Sequence, residues 1–139
     1  MVLTEQQREF LNEVHFAVVA TIASDGMPHQ TVMWYEMDGD EVLLNTPYDS
    51  LKHRHLKRDP RISVCVEKAY IYVTLKGTVT LDEDPARARA DYQRLGRRYQ
   101  DTLTAAPPPP SGSATSDLLS RERVTIRMRI DKVISNRLR

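Results

Sequence analysis

Ala69-Tyr-Ile-Tyr-Val-Thr-Leu-Lys-Gly-Thr-Val-Thr-Leu81 decides the fold. Ile71, Val73, Leu75, Val79 and Leu81 alternate with Tyr72, Thr74, Lys76, Thr78 and Thr80, the period-two signature of a strand with one buried face. Gly77 interrupts this long strand, as expected where a closed sheet carries a bulge or sharp bend. Just upstream, Arg61 to Glu67 alternates again, with Ile62, Val64 and Val66 on one face.

Further out, Phe16 to Ile22 reads as a buried strand, and Asp25-Gly26 supplies a turn before a second strand from Pro28 to Met37. Asp38-Gly39 supplies the next turn and Glu41 to Thr46 a third strand, so these three are expected to form a meander. Towards the C-terminus Val124, Ile126, Met128 and Ile130 alternate with polar residues and continue into Val133-Ile134. The pattern predicts a mainly β domain with peripheral helices, its six strands closed into an antiparallel barrel because closure removes exposed edges.

The helices are few. Thr4-Glu-Gln-Gln7 is a capping-box pattern, with Gln7, Phe10, Leu11 and Val14 following at helical spacing. Asp84-Pro85 caps a second helix that runs to about Tyr99. Ala105-Ala-Pro-Pro-Pro-Pro-Ser-Gly-Ser113 reads as an extended loop, at about 104–116. A chain of 139 residues has length for one domain, 1–139, and the sequence shows no internal repeat.

Composition narrows the function classes. With 40% hydrophobic and 28% charged residues this is an ordinary globular chain, and no apolar run approaches the roughly 20 residues that cross a bilayer. The N-terminus has no basic region followed by an apolar one, and the single cysteine, Cys65, excludes an internal disulfide framework, so a cytoplasmic protein is expected. Net charge is +1, yet residues 1–48 carry eight acids against Arg8 alone, leaving the remainder strongly basic. The aromatic interleaving of a nucleic-acid platform is sparse, which argues against that class of partner.

The basic half contains the sharpest electrostatic signal. Ser50-Leu-Lys-His-Arg-His-Leu-Lys-Arg-Asp-Pro-Arg61 predicts a short helix capped by Asp49 or Ser50 and stopped by Pro60. Lys57 and Arg58 sit where the helix dipole favours cations, but Lys52 and Arg54 lie at the start, where it does not. A docked anion, most simply a phosphate, explains them; a solvated basic face is the alternative. His53 and His55 are two residues apart on this helix and point in different directions, so no metal site is expected. Neither a glycine-rich phosphate loop, nor zinc-type Cys/His spacing, nor a serine nucleophile elbow occurs.

The Asp25-Gly-Met-Pro-His29 turn between strands, Asp38-Gly39 in the next turn, and the Ser50–Arg61 run before an Ile/Val strand together resemble the pyridoxamine 5'-phosphate oxidase-like split barrels, the FMN-binding split-barrel type. Within these the chain most resembles the small proteins that use the deazaflavin coenzyme F420. The resemblance implies a homodimer with cofactors in grooves between subunits. It implies that Lys52 and Arg54 hold the cofactor phosphate beside the Ser50 cap, and that His29, Gln30, Thr31, Val32 and Met33 edge the deazaflavin ring. Asn45 and Thr46 would meet the ribityl chain or phosphate, and Tyr70 would cover the ring or substrate. The implied activity is hydride transfer from reduced F420 to an unsaturated small-molecule substrate. The implied alternatives are an FMN-binding flavoprotein and a non-catalytic F420 carrier. No catalytic residue is assigned; His29, Tyr70 and solvent are the candidate proton donors. The anionic cofactor tail would follow Lys57, Arg58 and the arginines of the Asp84–Tyr99 helix.

Overall fold

The computed structural model describes residues 3–105 and 122–139. The elements run α1 (Glu5–Asn12), β1 (Ala17–Ile22), β2 (Pro28–Met33), β3 (Glu36–Asp38), β4 (Glu41–Pro47), α2 (Leu51–Arg58), β5 (Arg61–Lys68), β6 (Ile71–Asp82), α3 (Pro85–Arg98), α4 (Gln100–Ala105) and β7 (Arg123–Asn136). All pairings are antiparallel, in one sheet of order β2-β1-β5-β6-β7-β4-β3. Among the described residues no helix is long and apolar enough to cross a membrane.

Among the described residues seven strands replace the expected six, and the break is informative. The expected strand from Pro28 to Met37 divides at Trp34-Tyr35. Tyr35 is fully buried, its hydroxyl donates to the Leu11 carbonyl at 2.7 Å, and its amide donates to the Tyr99 hydroxyl at 3.2 Å. Those bonds pull the chain out of β2 and into β3 on the opposite edge of the sheet. The expected meander therefore does not form: β2 pairs with β1, whereas β4 pairs with β3 and β7. Because the two edge strands are separated in the chain only by Trp34 and Tyr35, the sheet must roll until its edges adjoin. No ladder joins them, so the barrel is split rather than closed by hydrogen bonds.

The interior follows the alternation. Val19, Val42, Leu44, Val64, Val66, Val73, Leu75, Ile126 and Met128 are buried within it, and Phe10 and Leu11 of α1 join the same core. Thr4 and Gln7 complete the capping box. The Gly77 bulge is present: Lys76 pairs with Lys132 and Gly77 with Ile130, leaving Asp131 as the extra residue. A Cβ on Gly77 would overlap the Arg129 carbonyl oxygen, so only glycine fits. The extra residue also shifts the buried parity of β7 from Val124–Ile130 to Val133.

A second, thinner layer forms on the outer face of β4 and β7. There α3, capped by Asp84 with Pro85 in its first turn, lays Ala88 and Leu95 over Leu43, Asn45 and Thr125. Asn45 donates to the Ala88 carbonyl at 2.9 Å, and Thr125 donates to Asp91 at 2.6 Å. Helix α4 was not anticipated and takes Thr104 and Ala105 from the expected proline-rich loop; the rest of that loop, residues 106–116, lies outside the described residues.

Candidate functional site

A pocket of about 280 Å³ opens where both sides of the split meet α2 and α3. Val32, Met33 and Trp34 come from the end of β2, and Asn45, Thr46 and Pro47 from the end of β4. Lys52 of α2, Tyr92 and Leu95 of α3, and Arg123 at the start of β7 complete the lining. Among the described residues no carboxylate lines it.

Local sequence places each cation. Ser50 caps α2 by accepting the His53 amide at 3.2 Å and shares a 2.8 Å hydrogen bond with Thr46, which ties the helix start to β4. His53 is buried and pins the same end: its Nδ1 accepts the Asp49 amide at 2.8 Å, so Nε2 carries the proton donated to Glu83 at 2.6 Å. Asp49 itself has φ 61°. This arrangement fixes the first turn of α2, from which Lys52 enters the pocket lining. Burial and then the Arg123 charge hold the Lys52 ammonium below the usual lysine range.

Arg123 is held from two sides. Its Nε donates to Asn45 Oδ1 at 2.7 Å, and its guanidinium lies 3.8 Å over the Tyr92 ring. Only 8% of the residue is exposed. Burial lowers its pKa from the usual arginine value, Tyr92 opposes that and Arg89 adds to it, but an arginine remains a cation at neutral pH. Trp34 stacks on Tyr92 at 6.1 Å and on Tyr99 at 5.3 Å, so the pocket wall is a stiff aromatic ladder ending in Arg123.

The expected site residues divide. Val32, Met33, Asn45, Thr46 and Lys52 come together in the pocket, with Ser50 directly behind Thr46. His29, Gln30 and Thr31 run away from it along the β2 edge, and the His29 ring packs edge-on against His55. Thr31 Oγ1 is buried without a hydrogen-bond partner. Arg54 is not in the lining: two residues from Lys52 on a helix, it points elsewhere, 59% exposed beside Asp49. Tyr70 lies at the opposite end of the β6–β7 ladder, 83% exposed in the β5–β6 turn. His55 bonds to Thr21 and His53 to Glu83, so the two imidazoles do not converge.

The basic side chains proposed to follow a cofactor tail are largely committed. Lys57 pairs with Glu83, Arg87 with Asp82, and Arg94 with Glu36 and Asp91. Arg58 donates to the Ile22 carbonyl and Arg98 to carbonyls of Glu13 and Tyr35. Arg123 and Tyr92 were not foreseen. In sequence the inward pattern of the last strand begins at Val124, which assigns Arg123 to the solvent face, and only α3 covering that face buries it.

The sequence profile of the pyridoxamine 5'-phosphate oxidase family matches residues 3–134. The chain belongs to that family. Among solved structures this family barrel is similar to an F420 reductase, with 24% identity over 95% of this chain and 98% of the other, at a TM-score of 0.75. It is also similar to a conserved hypothetical protein from Mycobacterium tuberculosis, with 26% identity over 97% and 85%, at 0.74. A third similar structure is an FAD-binding protein from Mesorhizobium loti, with 18% identity over 94% and 92%, at 0.65. Among curated protein sequences none matches the chain. Membership of the pyridoxamine 5'-phosphate oxidase family accounts for the split barrel as a whole, while the chemistry of this member resides in its pocket.

Proposed function

We propose that this chain is an F420-dependent oxidoreductase that reduces an unsaturated organic substrate in the cytoplasm. The observation that carries the reading is Lys52, drawn from the first turn of α2 into a pocket that no carboxylate of the described residues lines. A protein keeps such a cation where an anionic ligand supplies the missing charge. The family relationship narrows the ligand to a phosphate-bearing flavin or deazaflavin, and likeness to an F420 reductase supports the deazaflavin.

The residues present fit that group. Lys52, Thr46 and the α2 amides would hold the phosphate; Val32 and Met33 would meet the polyol or ring; the β2 edge and the orphaned Thr31 Oγ1 offer polar contacts further along. When bound, reduced F420 supplies the hydride. Met33, Trp34 and Leu95 exclude water from the inner wall.

A second copy of the chain belongs to this reading. Val32, Val18, Cys65, Thr74 and Ile134 stand opposite one another across five strands, and Val18, Val32 and Ile134 are exposed. That apolar row is the surface a homodimer would cover, and Tyr70 reaches a site only if a partner brings it.

Fluorescence titration of the apoprotein with F420 and, separately, FMN tests the cofactor. Saturation by F420 near one per chain, followed by oxidation of the bound reduced form by quinones, enones or tetrapyrroles, is expected. Saturation by FMN alone would transfer the reading to a flavoprotein, and tight F420 binding with no oxidation across the panel would make the chain a carrier.

A further inference from the structure

Arg123 has more hydrogen-bonding capacity than the fold uses. Asn45 engages Nε and Tyr92 covers one face, but no acceptor among the described residues meets Nη1 or Nη2. Asp91, which precedes Tyr92 on α3, is already committed, accepting from Thr125 at 2.6 Å and from Arg94 at 3.1 Å. A buried arginine serving structure alone would be expected to pair with a carboxylate, because an unpaired buried charge is costly. Here the guanidinium is instead pre-oriented: fixed at Nε, stacked on an aromatic ring, and lining the pocket that also holds Lys52.

We infer that the open fork of Arg123 is a second anion receptor, separate from the α2 N-terminus, and that the pocket takes a ligand bearing two anionic groups. The phosphate belongs at Lys52 and Thr46, beside the first turn of α2, where the helix dipole favours an anion. The planar fork suits a carboxylate, which it can bind through two parallel N–H bonds. A pocket of about 280 Å³ places both receptors within reach of one small ligand. This rests on the F420 reading for the ligand's identity and sharpens it: F420 continues past its phosphodiester into a carboxylate-bearing tail, whereas FMN ends at the phosphate. On this account Arg123 distinguishes the two cofactors, and it takes the tail-holding role expected of Lys57, Arg58 and the arginines of α3.

The test uses a matched pair of probes unrelated to either cofactor. Glycerol 3-phosphate carries the phosphate alone, and 3-phosphoglycerate adds a carboxylate. Trp34, the single tryptophan, stacks on the Tyr92 ring that Arg123 covers and reports occupancy by its fluorescence, with calorimetry as the second readout. Wild type is expected to bind 3-phosphoglycerate about tenfold or more tightly than glycerol 3-phosphate. Arg123→Gln should abolish that preference while leaving glycerol 3-phosphate affinity within about threefold. Arg123→Lys, which keeps the charge but loses the fork, should retain only part of it and answers the question if the glutamine variant does not fold. Equal affinity of wild type for the two probes, or a preference that survives both substitutions, overturns the assignment. F420 titration runs beside it: discrimination between the probes without F420 binding would sink the cofactor reading and leave the receptor standing. F420 binding without discrimination would do the reverse.

Discussion

Replacing Lys52 by methionine should move stability and affinity in opposite directions. Methionine keeps the apolar stem and removes the ammonium, which in the free protein is both desolvated and repelled by Arg123. Lys52 forms no ion pair among the described residues, so the change is expected to leave the apoprotein at least as stable as wild type. Ligand binding loses a charge-assisted hydrogen bond of about 1.5–3 kcal/mol, or about 10- to 140-fold in affinity. It does not vanish, because the α2 amides still favour an anion by about 0.3–1 kcal/mol.

The pH dependence has a definite sign. The folded-state pKa of Lys52 lies below its unfolded value, so the folded protein holds fewer protons in that window, and apoprotein stability from this group rises as pH climbs through it. A bound anion favours the ammonium, so affinity holds below the depressed pKa and falls above it. Thermal melts of the apoprotein, with calorimetric titration of F420 and of sulfate (which does not titrate in this range), measure both effects. The reasoning fails if Lys52→Met lowers the apoprotein Tm, if affinity changes less than about threefold, or if the alkaline loss of sulfate affinity persists in the variant.

Three further outcomes are expected. Gly77→Ala sets a methyl group against the Arg129 carbonyl, a backbone atom that cannot rotate away, so it should cost about 3 kcal/mol or more by urea denaturation. Tyr35→Phe removes a buried 2.7 Å bond and leaves the Leu11 carbonyl short of a donor; a loss of about 1–3 kcal/mol is expected, with the far-ultraviolet circular dichroism unchanged. Asp59, held down to about 2 by hydrogen bonds from Arg61, should titrate there by carboxyl-carbon magnetic resonance and return towards the ordinary aspartate value in Arg61→Gln.

Much of the barrel was legible because it rests on local rules. Alternation in β5, β6 and β7, the caps at Thr4, Ser50 and Asp84, and the glycine at the bulge each declare themselves within a few residues. The split was not legible. Met33 to Met37 carries no turn residue, and the break at Trp34-Tyr35 is imposed by partners at Leu11 and Tyr99, far away in sequence. The candidate site divides on the same principle. Lys52 stood out because its charge opposes its own helix, a local conflict. Arg123 stayed hidden because its burial depends on α3 crossing a face that the strand pattern assigns to solvent. Arg54 shares the same position in the sequence argument, but a helix distributes side chains around its axis, and Arg54 stands outside this pocket beside Asp49.

The position of β7 has a consequence for how the chain comes into being. This strand lies between β6 and β4 and pairs with both, joining Asn45 to Thr125 across 80 positions of sequence. A ribosome releases β4 and β6 well before their shared partner exists. Until then each presents an unpaired edge, and the floor of the pocket has no wall on which Arg123 could stand. Assembly of the barrel and of its pocket is thus a single late event, completed only when the last strand slides between two that have been waiting for it.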